Sequence, residues 1–202
     1  MVTPSRRLGR PREFDQDTAL SAAMEEFWAR GYHATSLADL ETATGLHRGS
    51  LYAAFGDKHR LFLTALDRYG RWALAGLEEH LAAAATPLAG VRRHLEDQAL
   101  RAADRSGRRR GCLLSNSALE LLPGDGEAAA VIATRQQAIV ERLADALARA
   151  QAAGELGAGR SRPPRALARY VFAVTQGMWE MGRTTADREL LLDVARTAAA
   201  AL

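Results

Sequence analysis

The sequence predicts an all-α protein, and three observations lead there. Alanine makes up roughly a fifth of the 202 residues, proline occurs only six times, and β-branched runs are absent. A chain of this length can bury a real core without staples. Its single cysteine, Cys112, excludes a disulfide framework and a Cys-rich zinc or iron–sulfur site. No run approaches the ~18 apolar residues of a membrane span, and the start lacks a signal-type apolar region. A soluble, cytoplasmic protein without a membrane partner is expected.

Residues 1–13 show no apolar periodicity and carry Arg6, Arg7, Arg10 and Arg12 with no acid before Glu13, which reads as a flexible basic arm. From Phe14 the pattern is helical. Leu20, Ala23, Met24 and Phe27 fall at i, i+3, i+4 and i+7, with Asp15 or Asp17 to cap the helix and Gly31 to stop it. Ser36 caps a short helix over residues 37–44 that buries Leu37 and Leu40, and Gly45 breaks it. A second short helix, about 47–54, turns Leu51 and Phe55 inward. Asp57 then caps a longer helix from near Lys58 that carries Leu61, Phe62, Ala65, Leu66, Tyr69 and Trp72.

The rest is helical too. Thr86-Pro87 opens a helix reaching about Arg105. A short apolar segment covers 112–122, a Pro-Gly loop 123–126 and a long helix about 127–151. Pro163-Pro164 opens another helix to about Thr184, and Asp187 caps the last. The total is about nine helices.

Two short helices joined by a glycine turn have the geometry of a helix-turn-helix, whose second helix reads the major groove. That helix starts His47-Arg48-Gly49-Ser50-Leu51-Tyr52. Arg48 can donate two hydrogen bonds to guanine, worth ~1–3 kcal/mol of discrimination. Gly49 permits close approach, while His47, Ser50 and Tyr52 suit phosphate oxygens. Lys58, the only lysine, stands at a helix N-terminus, where phosphate is favoured. A plain helical hairpin with ordinary surface polar groups is the competing reading.

Residues 14–62 resemble the N-terminal domain of TetR family transcriptional regulators. The likeness rests on Phe27-x-x-x-Gly31-Tyr32 followed by Thr35-Ser36, on Leu40 and Gly45, and above all on Gly49-Ser50-Leu51-Tyr52-x-x-Phe55-x-x-Lys58. The resemblance implies a flexible arm (1–13), a DNA-binding head of three helices (14–60) and a helical body for ligand binding and dimerisation (61–202). It further implies a homodimer on double-stranded operator DNA, released by a small-molecule inducer. Carried over by position, Thr35, Ser36, Thr44, His47, Arg48, Gly49, Ser50, Tyr52 and Lys58 are the expected DNA contacts. Glu41 and Thr44 depart from the small residues common at the helix crossing, so Glu41 must lie along the surface, facing Arg48, or loosen the crossing. His47 replaces the usual Ser or Thr cap, a loss of ~1 kcal/mol.

Arg6, Arg7, Arg10 and Arg12 form a second DNA feature, because Gly9-Arg10-Pro11 within them is similar to an AT-hook core. Such segments favour narrow A·T minor grooves. These four arginines exceed the net charge of +3, so the rest of the chain is nearly neutral and the basic excess sits before the head.

In the body, Leu167, Val171, Val174, Met178 and Met181 on one helix and Leu190, Leu191 and Val194 on the next are the expected dimer interface; an intramolecular core fits the same pattern. Polar groups on apolar faces mark a ligand pocket: Cys112, Asn116 and Glu120 on one stripe, His94 and Gln98 on another, with Trp72, Tyr170, Gln176 and Trp179 as walls. Each alone also fits an ordinary helix–helix contact. Gly111-Cys112-Leu113 looks like the segment that holds a sensor thiol in electrophile-responsive members, with Arg108, Arg109 and Arg110 beside it. A buried small hydrophobe is the alternative there.

No Gly-rich phosphate loop, His-Glu-x-x-His or nucleophile elbow occurs, and the five histidines are scattered, so no enzyme, cofactor or metal site is expected. The leading expectation is an inducible repressor. The others are a thiol-based redox sensor acting through Cys112 and a non-specific architectural DNA binder using the arginine arm.

Overall fold

The computed structural model describes residues 15–104, 110–156 and 162–202, so Arg6, Arg7, Arg10 and Arg12, like Arg108 and Arg109, lie outside the described residues. Nine helices and no strand occur among the described residues: α1 (Gln16–Arg30), α2 (Leu37–Thr44), α3 (Arg48–Phe55), α4 (Lys58–Ala82), α5 (Pro87–Ala102), α6 (Leu113–Leu121), α7 (Gly126–Ala152), α8 (Pro164–Thr184) and α9 (Arg188–Ala200). None of them is long and apolar enough to cross a membrane.

The starts follow from side-chain caps. Asp15, Ser36, Asp57, Thr86, Asp125 and Asp187 each accept from a backbone N–H of the first turn. At α2 the cap is reciprocal: Ser36 accepts from the Asp39 N–H while Asp39 accepts from the Ser36 N–H. Helix α5 ends at Ala102, short of the expected Arg105.

Burial falls into two clusters joined by α4. The first gathers Phe27, Leu40, Leu51, Phe62 and Leu66 from α1–α4 with Leu113, Leu114 and Ile132 from α6 and α7. The second holds Leu77 and Leu81 from the far half of α4 together with inward residues of α5, α7, α8 and α9. Trp179 packs against both. The head's core is therefore shared with α6 and the start of α7. In the second cluster α8 crosses α5 closely at Gly182, where a Cβ would collide with the Ala102 carbonyl.

Candidate DNA-reading face and ligand cavity

Gly31 ends α1 with φ of 84°. Thr35 closes the following turn, fully buried, its hydroxyl donating to the Gly31 carbonyl at 2.6 Å. That corrects its assignment as a DNA contact: a buried hydroxyl with a backbone partner cannot reach a phosphate. Ser36 is exposed and occupied as the α2 cap. Thr44 donates to the Leu40 carbonyl at 2.7 Å and accepts from the Leu46 N–H at 3.3 Å, so its hydroxyl is committed to the turn between α2 and α3. Gly45 makes that turn in the left-handed region, with φ of 69°.

His47 is the N-cap of α3 and makes no side-chain cap bond. Glu41 supplies what is missing, since its Oε1 accepts from the Arg48 backbone N–H at 2.5 Å. The carboxylate thus faces Arg48 through the main chain and sits at a positive helix end. His47, Arg48, Gly49 and Ser50 are exposed together, with Tyr52 half-buried and the Arg48 guanidinium 5.2 Å from its ring centre. Lys58 is half-buried, its ammonium 4.3 Å from the Tyr32 ring centre, and burial lowers its pKa.

Several joints fasten this head to the body. Glu120 of α6 accepts from the backbone N–H groups of Tyr32 at 3.0 Å and His33 at 2.7 Å. The Trp28 indole donates to the Gly111 carbonyl at 2.9 Å. His59 meets Asp125 at 2.7 Å, and Arg110 pairs with Glu25.

An inner cavity of about 40 Å³ lies in the body between α4, α5, α6, α7 and α8. It gathers five residues expected at a pocket: His94, Gln98, Cys112, Gln176 and Trp179. The Trp179 indole donates to Gln98 Oε1 at 2.9 Å, and the Ser115 hydroxyl donates to Gln176 Oε1 at 2.6 Å. Burial, reinforced by the facing His80, lowers the His94 pKa to about 4, so its imidazole is neutral at pH 7.

The other expected ligand residues lie elsewhere. Glu120 is at the head joint. Asn116 donates to the Arg110 carbonyl and accepts from Arg183, tying the segment before α6 to α8. Tyr170 stands on the outer side of α8. Trp72, 46% exposed, lines an outer cleft beside Arg101. Sequence reasoning also missed Tyr69, Gln136 and Thr175 in the cavity wall. Gln136 had a legible signal, because it interrupts the stripe Ile132–Gln136–Val140 on α7.

The dimer assignment needs the same sorting. Leu167, Val171, Met178 and Leu191 are buried within the chain's own second cluster, where α8 packs on α5 and α7 and α9 on α5. Val174, Met181, Leu190 and Val194 lie half-buried or exposed on the outer side of α8 and α9, with Tyr170. The stripe of α8 is broad enough to supply both faces, which periodicity alone does not separate.

A short exposed helix, braced by two others above an all-helical body with an inner cavity, defines a helix-turn-helix transcriptional regulator. Residues 19–65 match the family described as bacterial regulatory proteins, tetR family, and residues 89–199 match the tetracyclin repressor-like C-terminal domain. The chain is 36% identical over 197 residues to the HTH-type transcriptional repressor ComR of Escherichia coli, covering 94% of this chain and 89% of that protein. It is 31% identical over 181 residues to the transcriptional regulator AcuR of Cereibacter sphaeroides, covering 85% and 80%. Among solved structures, a cysteine mutant of the TetR family regulator CifR, complexed with 26-base-pair operator DNA, superposes with a TM-score of 0.80 at 34% identity, covering 95% of this chain and 99% of that one. This protein belongs to the TetR family of transcriptional regulators. It is a DNA-binding regulator and not an enzyme.

Proposed function

We propose that the protein is a ligand-responsive repressor that binds a palindromic operator as a homodimer and leaves it when a small inducer enters the inner cavity. Helix α6 is the observation that carries this reading. Cys112 and Leu114 at its start line the cavity, and Glu120 in its last turn holds the amides of Tyr32 and His33. A side chain displaced in the cavity therefore moves a helix already fastened to the head. His47, Arg48, Gly49, Ser50 and Tyr52 supply the reading face, Lys58 a phosphate contact and the arm of residues 1–13 a further basic contact. The outer face of α8 and α9, with Val174, Met181, Leu190 and Val194, is the surface for the second copy. The names of ComR and BdcR, both repressors of Escherichia coli, agree with the direction of control.

Footprinting at physiological salt tests it. Protection of a palindrome with half-sites about one helical turn apart is the expected result. Binding that fades without sequence preference as salt rises would make the protein an architectural DNA binder instead. Val194→Arg should yield monomers by light scattering and lose the footprint.

A second reading has its own observation: the Cys112 thiol lines the cavity against the Tyr69 hydroxyl, so an electrophile lodged there would meet a nucleophile. If Cys112→Ser releases DNA with every inducing oxidant or electrophile as the parent does, the thiol has no sensing role.

A further inference from the structure

We propose that the inner cavity selects a small, uncharged, hydrogen-bonding molecule and rejects ions, an inference that rests on the cavity being the inducer site. Among the described residues, no Asp, Glu, Lys or Arg lines the chamber. Its polar wall consists of groups that are neutral at pH 7, notably the His94 imidazole and the amides of Gln98, Gln136 and Gln176. An ion entering would lose its hydration with no opposite charge in the wall to meet.

The wall also holds unused hydrogen-bonding capacity. Gln98 and Gln176 give their carbonyl oxygens to Trp179 and Ser115. Among the described residues the Gln136 amide has no hydrogen-bond partner, and the His94 ring is engaged only through Nδ1, toward His80 at 3.4 Å. An amide offers both donor and acceptor, and a neutral imidazole Nε2 offers one or the other. A ligand with a carbonyl, hydroxyl or carboxamide matches that pair, from α7 and α5.

Charge stops one step further out. The adjoining outer cleft shares Tyr69, Gln98 and Trp179 with the chamber and adds Glu79, Asp97 and Arg101. The shared residues separate a charged vestibule from an uncharged room. At about 40 Å³ the room admits only a few heavy atoms before its walls must shift.

The test uses butyramide, butyrate and butylammonium, which share a carbon frame and differ in charge. The readout is the indole N–H resonance of Trp179, assigned with Trp179→Phe, during millimolar titrations of the full chain at pH 7.5 and fixed ionic strength. Butyramide should shift that resonance saturably and the two ions should leave it in place. Gln136→Leu should weaken butyramide roughly fivefold, as expected for one hydrogen bond. Gln136→Glu should admit butylammonium. Saturable binding of either ion to the unmodified chain as tight as that of butyramide would overturn the inference, as would no response to butyramide. Operator affinity measured at saturating butyramide separates the two claims: occupancy without release leaves the selectivity standing and removes the inducer role.

Discussion

At the tip of α3, the side chains of Arg48 and Ser50 are exposed and make no hydrogen bond among the described residues, while His47 leaves its own helix uncapped. In the body, His94, Gln98 and Gln176 are walled in, and the two glutamines are spoken for by Trp179 and Ser115. Hydrogen-bonding side chains thus serve opposite ends. On the surface, water keeps a guanidinium inexpensive until phosphate or a base edge replaces it. In the chamber, each polar atom needs a partner or a guest, and charge is excluded. Even the caps differ: α3 borrows a carboxylate from Glu41 on the preceding helix, whereas α6 starts at Cys112 with no side-chain cap at all.

The largest effect that would break this contrast concerns the core beneath both regions. Phe27→Ala should cost ~3–5 kcal/mol, and because that cluster includes α6 residues, head and body should melt together. Separate transitions in calorimetry would show two independent units. Next comes pH. His94 titrates at about 4 when folded against 6.5 in its ordinary state, so the unfolded chain takes up a proton first and stability falls as pH drops from 6.5 toward 4. The loss amounts to roughly 3 kcal/mol, and His94→Gln should flatten that stretch of the denaturation profile relative to the parent.

Smaller changes belong to the head. Arg48→Ala should cost ~1–3 kcal/mol at the operator and relax base choice there. Deleting residues 1–12 should instead weaken binding at most sites and reduce the salt dependence. Equal loss of specificity from both would contradict base reading by α3. Smallest is Glu41→Ala, with the loss of roughly 1 kcal/mol typical of a helix cap, seen as faster amide exchange at the start of α3 with the body unchanged.

The head was far more legible than the cavity, for a physical reason. Its turns are enforced locally: Gly31, Gly45 and the caps Ser36 and Asp57 act within a few residues of themselves. Periodicity therefore located α2 over residues 37–44 and α3 to within a residue. Thr35 was misjudged because a hydroxyl in a turn looks alike whether it faces water or the Gly31 carbonyl 2.6 Å away. The cavity depends on which faces of five helices meet. Asn116 and Glu120 share the stripe of Cys112, yet only the cysteine end reaches the chamber while the stripe runs outward to the joints. The α8 stripe failed similarly, Leu167 turning inward and Met181 outward.

The lone lysine has a practical consequence. Lys58 carries the only side-chain amine of the sequence, and burial lowers its pKa. Amine-directed reagents thus have a single side-chain address, at the first residue of α4 and against Tyr32. A dye coupled there would sit beside the turn that Glu120 holds. One conjugation would then give an optical report on the seating of the head on the body, at the expense of one phosphate contact.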